Sequence, residues 1–294
     1  MNLAEQLKDR LPYPFETIAV AVTFSPRYKA VIREAARLSR LHRAKLILIH
    51  VGELTEAQTA KLESCVETCH IKKKYYQIID IAGAVVPTIL QVCKENIVDL
   101  LVLGALKKET VLQHYVGTIA RKISRKAKCS ILLIPDPKKR PLTFDKVVVS
   151  AIDSAKTPLT LATAVYVANM EDAQELFIVN EEYIPMFQSA YADCTTDEEI
   201  ESKKADYMSE CKRKVVEVLN EIPGASSIST KQRVIFGKPG HSIQVFAKSK
   251  QPDLLLVNSP KKSLGILDRL FPHDLEYLLE DLPCNLLIVH SRGF

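Results

Sequence analysis

The sequence predicts two α/β units in tandem, each a parallel β-sheet covered by helices on both faces. Three observations carry this expectation. Short β-rich apolar runs without polar alternation are separated by helical stretches, the pattern of strands buried on both faces. The chain repeats a set of anchors in the same order, the mark of a duplicated unit. Between the copies lies DPKKRPLTFD (136–145), a linker by its Pro and Lys content, which divides the chain into units 1–138 and 139–294.

In the first unit the strands are expected at 17–22, 45–51, 75–81, 99–103 and 130–134. Between them, 27–42, 55–71, 85–95 and 117–127 read as amphipathic helices. The second unit follows the same order. FETIAVAV at Phe15 resembles FDKVVV at Phe144, and Gly83 and Gly237 each precede a helical stretch that ends in VDLLVLG or PDLLLVN. Asp99 thus matches Asp253, and Gly104 matches Asn258, at a spacing of 154. KCSILLIP matches PCNLLIVH at a spacing of 155. The second unit is longer by an excursion over 181–220, in which DEEIESKKADYMSECKRKVVEVLNEI reads as a long charged helix and FQSAYADCTT before it as a loop or lid.

Composition narrows the class. Of the 294 residues, 47% are apolar and 26% charged, ordinary for a globular chain with a real core. No apolar run reaches the ~20 residues needed to span a bilayer, and the N-terminal MNLAEQLKDRLPYPF lacks the apolar core of a signal peptide. Seven scattered cysteines without metal-ligand spacing suit free thiols in a reducing compartment, so the expectation is a soluble cytoplasmic protein. Residues 1–138 carry 22 Lys and Arg against 13 Asp and Glu, whereas the remainder carries 18 against 22. Opposite signs favour docking of the halves and can steer an anion toward the first; solvated surface charge is the alternative. With no Trp and no basic run interleaved with aromatics, nucleic acid is not the expected partner.

In an open parallel sheet, ligands bind beyond the carboxyl ends of the strands, where the strand order reverses. Gly104 ends the fourth strand, where a glycine allows close approach or a positive φ. Gly117-Thr118 opens the next helix, whose free N–H groups favour phosphate; the Thr118 hydroxyl either donates to it or caps the helix. Lys107 and Lys108, between them, are phosphate-reaching cations or solvated loop charges. Together these describe a cradle for nucleotide phosphates.

These residues resemble the binding motif of tandem universal stress protein domains, and the resemblance covers nearly all the chain. That motif has a glycine after the fourth strand, a second three residues on, and Gly-Ser/Thr after nine more residues. Gly104, Gly117 and Thr118 match it, with Lys107 at the middle glycine. Thr23 stands where the family has an adenine-side aspartate, and His50-Val51 matches the ending of the second strand. In the second half Asp153 occupies the aspartate position, Asn258 replaces the first glycine, Lys261 the second, and Pro272-His273 the Gly-Thr pair. The resemblance implies Rossmann-like, adenine nucleotide α-hydrolase-like domains, each with five parallel strands in the order 3-2-1-4-5. It also implies last strands that pair edge to edge as an internal pseudo-dimer, with a homodimer allowed. ATP or another adenine nucleotide, with or without Mg, would bind through Thr23, Val51, Gly104, Lys107, Gly117 and Thr118, and in a degenerate second site through Asp153, Asn258 and His273.

Other groups compete with that reading. His273 in PHDLE can hold a metal or a proton, although acids at a helix start are favoured by the dipole alone. Cys65, Cys69 and His70 read as packing rather than a zinc site, as do Cys129 and Cys284. No G-x-x-x-x-G-K-[ST], G-x-G-x-x-G or G-x-S-x-G occurs, so no catalytic residue is assigned. The expected function is a non-enzymatic, nucleotide-responsive stress protein with a protein partner. The alternatives are an interaction scaffold that has lost nucleotide binding and, third, a slow ATPase, for which Glu109 is the only acid in the loop after Gly104.

Overall fold

The computed structural model describes residues 11, 13–107, 114–152, 154–182, 196–260 and 274–291. The chain divides into two compact units, Met1–Thr143 with Leu279–Phe294, and Phe144–Leu278. In the first unit the order is β1 (Thr17–Ala21), α1 (Tyr28–Leu41), β2 (Lys45–Val51), α2 (Glu56–Glu67), β3 (Tyr76–Ile81), α3 (Val85–Glu95) and β4 (Leu100–Gly104). A short antiparallel pair, β5 (Leu106–Lys107) and β6 (His114–Tyr115), then leads to α4 (Thr118–Lys126) and β7 (Ser130–Ile134).

The strands β3, β2, β1, β4 and β7 lie side by side in that order, all parallel, which is the expected 3-2-1-4-5 arrangement. Their apolar faces form the core. Ile18, Leu46 to Leu48, Leu101, Val102, Ile131 and Leu133 are fully enclosed, because helices cover both faces and no strand residue between them meets water. Beside β7, the closing strand β12 (Asn285–Val289) pairs antiparallel through Leu286↔Leu133, Leu287↔Leu132 and Ile288↔Ile131.

The second unit holds β8 (Lys146–Ser150), α5 (Thr157–Glu171), β9 (Glu175–Glu182), α6 (Asp197–Asn220), β10 (Thr230–Phe236), α7 (His241–Lys250) and β11 (Leu254–Asn258). Strands β10, β9, β8 and β11 are adjacent and parallel, repeating the order 3-2-1-4. The charged run expected as one helix is α6, closed at its start by a capping box between Thr196 and Glu199. Helix α2 has the same device at Thr55 and Gln58. It ends four residues before the expected 71, because the chain turns through His70 at φ 59°.

The repeat anchors have physical roles. Asp99 precedes β4, and its carboxylate accepts from the backbone N–H of Glu16 at 2.6 Å and of Thr17 at 2.8 Å. Asp253 accepts in the same way from Lys146 N–H at 2.9 Å. Each aspartate thereby ties the fourth strand of its unit to the first. Gly83 and Gly237 have φ of 150° and 152°, and a Cβ at either would collide with the hydroxyl of Thr88 or Ser242 in the helix that follows.

His42 caps the end of α1 and packs edge-on against Phe15, with centroids 5.0 Å apart. Burial, and then the Arg37 guanidinium, push its pKa from 6.5 down to about 4. The unfolded chain therefore takes up a proton at a pH where the folded chain does not. Stability is expected to fall as the pH drops from about 6.5 toward 4, by up to about 1.4 kcal/mol per pH unit from this group. Urea unfolding across that window should show a shallower decline for His42→Gln; equal slopes would contradict it.

Candidate functional site

Strand β1 lies between β2 and β4, so the connection from β1 runs to one side and that entering β4 comes from the other. The crevice at such a reversal opens at the carboxyl ends of β1 and β4. In the first unit the chain leaving β1 passes exposed Thr23, then Phe24, whose ring meets those of His50 (5.7 Å) and Tyr28 (5.3 Å). His50 is held by Val22 O at 3.1 Å from its Nδ1, and Val51 ends β2 half-buried.

Gly104 ends β4 and is exposed. Its φ is not positive; what requires glycine is proximity, since a Cβ there would lie 3.0 Å from Val31 Cγ2 of α1. Lys107 lies in β5, its backbone opposite His114. Gly117 is the N-cap of α4 in extended backbone (φ −63°, ψ 163°). Thr118, exposed, is the first helical residue; its hydroxyl does not cap the helix, so the capping alternative is not the one adopted. The first turn contains no acid, and among the described residues no side chain caps it, so its free N–H groups lie at the positive end of the helix dipole. Arg121 steadies the turn before it, donating to Val116 O at 2.8 Å and Leu279 O at 3.1 Å.

Arg27 was not singled out by sequence reasoning. It is the N-cap residue of α1, and its guanidinium donates to Pro135 O at 3.0 Å and Ala105 O at 3.4 Å, with Asp136 3.9 Å away. A cation thus sits across the ends of β4 and β7. The repeat contained the signal: aligning β1 with β8 sets Arg27 against Lys156, also an N-cap residue. Lys156 Nζ donates to Ser259 O and Oγ, both at 2.9 Å, and to Pro260 O at 2.7 Å.

The second unit uses its crevice positions differently. Asn258, at the place of Gly104, accepts from Thr160 Oγ1 at 2.5 Å and donates to Thr157 Oγ1 at 3.1 Å. Thr160 corresponds to Val31, so the side chain that would crowd a Cβ in one half anchors an amide in the other. Glu181, at the place of Val51, is buried; its carboxylate accepts from Gly240 N–H at 2.8 Å, Ile243 N–H at 3.1 Å and Ser150 Oγ at 3.0 Å. A buried carboxylate must be satisfied, and here it occupies the N-terminus of α7. Asp153, Lys261, Pro272 and His273 lie outside the described residues, as do Lys108 and Glu109.

Comparison with known proteins bears on this geometry. Residues 14–135 match the model of the universal stress protein family. The first half of the chain is a universal stress protein domain. Along its length the chain is similar in fold to a universal stress protein from Archaeoglobus fulgidus, with 16% identity, a TM-score of 0.69, and 96% of this chain and 100% of that one covered. It is also similar to the protein PA1789 from Pseudomonas aeruginosa, with 14% identity, a TM-score of 0.70, and 95% and 93% covered. A comparison with curated proteins finds no match.

The universal stress protein domain thus holds exposed Gly104 against Val31, and this contact can be tested. Gly104→Ala is expected to destabilise by about 1–3 kcal/mol through overpacking. Adding Val31→Ala should recover part of that loss in a double-mutant cycle of thermal unfolding. Additive losses would show that Val31 is not what crowds the site.

Proposed function

We propose that this chain is a non-enzymatic, nucleotide-responsive stress protein that binds ATP or a related adenine nucleotide, with or without Mg, in its first half. The observation that carries the proposal is the contrast between the two crevices. In the first half Gly104 is exposed and, among the described residues, no side chain caps the Gly117-Thr118 helix start. In the second, the corresponding strand end is tied up by Asn258, Thr157 and Thr160, and Glu181 supplies the helix N-terminus of α7 with its own anion. Phosphates would rest on the N–H groups of Gly117 and Thr118 and on the Thr118 hydroxyl, with Lys107 as a further cation. The adenine would lie toward Thr23 and Val51, beside the rings of Phe24 and His50.

The family resemblance supports an adenine nucleotide as the ligand. Asn258 belongs to a second site of the same ancestry and is given over to internal contacts; Asp153 and His273 of that site lie outside the described residues. Nucleotide binding at Gly104 and Gly117 would alter the surface offered to a protein partner; for that, the ligand must bind two states of the protein unequally. Six described cysteines are free thiols, which supports a reducing, cytoplasmic setting. Among the described residues no helix is long and apolar enough to cross a membrane.

Calorimetric titration of Mg-ATP into the intact chain tests the proposal, alongside the variant Gly117→Pro/Thr118→Val. Gly117 already has a φ that proline adopts, so the double change removes one N–H and one hydroxyl with little disturbance of the helix. Micromolar binding to one site, weakened at least tenfold in the variant, is the expected outcome. Absence of binding to the parent chain, in buffers of different ionisation enthalpy, would favour a scaffold that has lost its nucleotide.

A further inference from the structure

At the opposite end of the first-unit sheet from the crevice, a cavity of about 260 Å³ lies between α3 and the turn from α4 into β7. Its walls include Pro87, Leu90 and Ile97, and exposed Lys94 and Lys126 stand at its rim, so it reaches solvent. Two free cysteines from different elements also line it: Cys93 in the last turn of α3, and Cys129 just before β7. Both face the same cavity, and Cys129 stands near enough to Cys93 to raise the pKa of its thiol.

The other cysteines are placed differently. Cys284 repeats Cys129 before β12, but the position of Cys93 is taken in the second half by buried Ala247, and the Cys284 thiol donates to Asn285 O at 3.3 Å. Cys65 in α2 and Cys69 just past its end are near neighbours in the chain, yet both point at backbone, Cys65 to Lys29 O at 3.8 Å and Cys69 to Cys65 O at 3.3 Å. Among the described residues, Cys93 and Cys129 are two thiols from different elements that line one cavity with apolar walls.

We propose that Cys93 and Cys129 form a dithiol site for a trivalent arsenical bearing an apolar substituent. An arsenical R–As(OH)₂ condenses with two thiols: two As–S bonds form, two As–O and two S–H bonds break, and two waters leave. Arsenic stays trivalent, so neither oxidant nor reductant is consumed. The substituent R enters the space beside Pro87, Leu90 and Ile97. Because the condensation consumes thiols, it does not depend on a thiolate. The neighbouring Cys129 thiol, and then burial, hold the Cys93 pKa well above the ordinary thiol value. Closing the second As–S bond is intramolecular, which makes the bridged adduct about 10²-fold or more tighter than a single-thiol adduct.

The test is titration of the full chain with phenylarsine oxide in excess monothiol, followed by intact-mass measurement. One adduct, with two thiols lost to titration in denaturant, is expected. It should weaken by about 10²-fold in Cys93→Ala and in Cys129→Ala, and persist in Cys284→Ala and in Cys65→Ala/Cys69→Ala. Acidic digestion of the unsubstituted adduct should yield arsenic bridging the peptides that contain Cys93 and Cys129, a readout independent of how the variants fold. Retention of the adduct in Cys93→Ala, its loss with Cys65 and Cys69, or a bridge between other peptides would overturn the proposal.

Discussion

The joint between the first and fourth strands is the constraint on which the rest depends. In the first unit the carboxylate of Asp99, enclosed at the start of β4, receives the N–H groups at the start of β1. Asp253 does the same for β8. Fastening these strands at their amino ends sets their registers, Ile18 opposite Leu100 and Val147 opposite Leu254. It also fixes where the strand order reverses, and so where a crevice must open at the other end. There a basic N-cap residue, Arg27 or Lys156, reaches the carbonyl just after the fourth strand. Each half is thus pinned at both ends of the same pair of strands, by an anion at one and a cation at the other.

On that common frame the halves diverge by exchanging partners rather than backbone. Gly104 faces Val31, an apolar contact that leaves the strand end bare. Asn258 faces Thr157 and Thr160, a polar cluster that fills the same place and satisfies its own donors and acceptors. Val51 becomes Glu181, which needs a helix N-terminus to be tolerated inside, and α7 provides one. Among the described residues, the end of the fourth strand is therefore bare in one half and hydrogen-bonded in the other, and the second gains internal hydrogen bonds from a residue that departs from the nucleotide motif.

Much of the fold was legible because it is written in local periodicity and in the repeat. Apolar runs flanked by helical patterns located the strands of the first unit to within a residue or two, and Gly83 and Gly237 stand out because only glycine fits φ near 150° against a helix start. The tip pair β5–β6 was not legible, since two-residue strands carry no period. Nor were the contacts of Arg27, Lys156 and Glu181, whose partners lie between 31 and 108 residues away in the chain and leave no local signature, although the repeat aligns Arg27 with Lys156. Of the site, the sequence pattern named positions at strand and helix ends but not their neighbours. That Gly104 serves packing against Val31, and that Gly117 rather than Thr118 is the cap residue, depends on coordinates that no spacing rule contains.

The most direct measurement is photoaffinity labelling of the intact chain with an azido-adenine analogue of ATP, followed by mapping of the labelled peptides. Nucleotide binding confined to the first half predicts label on peptides carrying Thr23 to Arg27 or His50 to Gly52, competed by ATP. Label concentrated instead on peptides around Ala151 or Glu181 would contradict it, because those positions would then have to exchange their internal hydrogen bonds for the nucleotide.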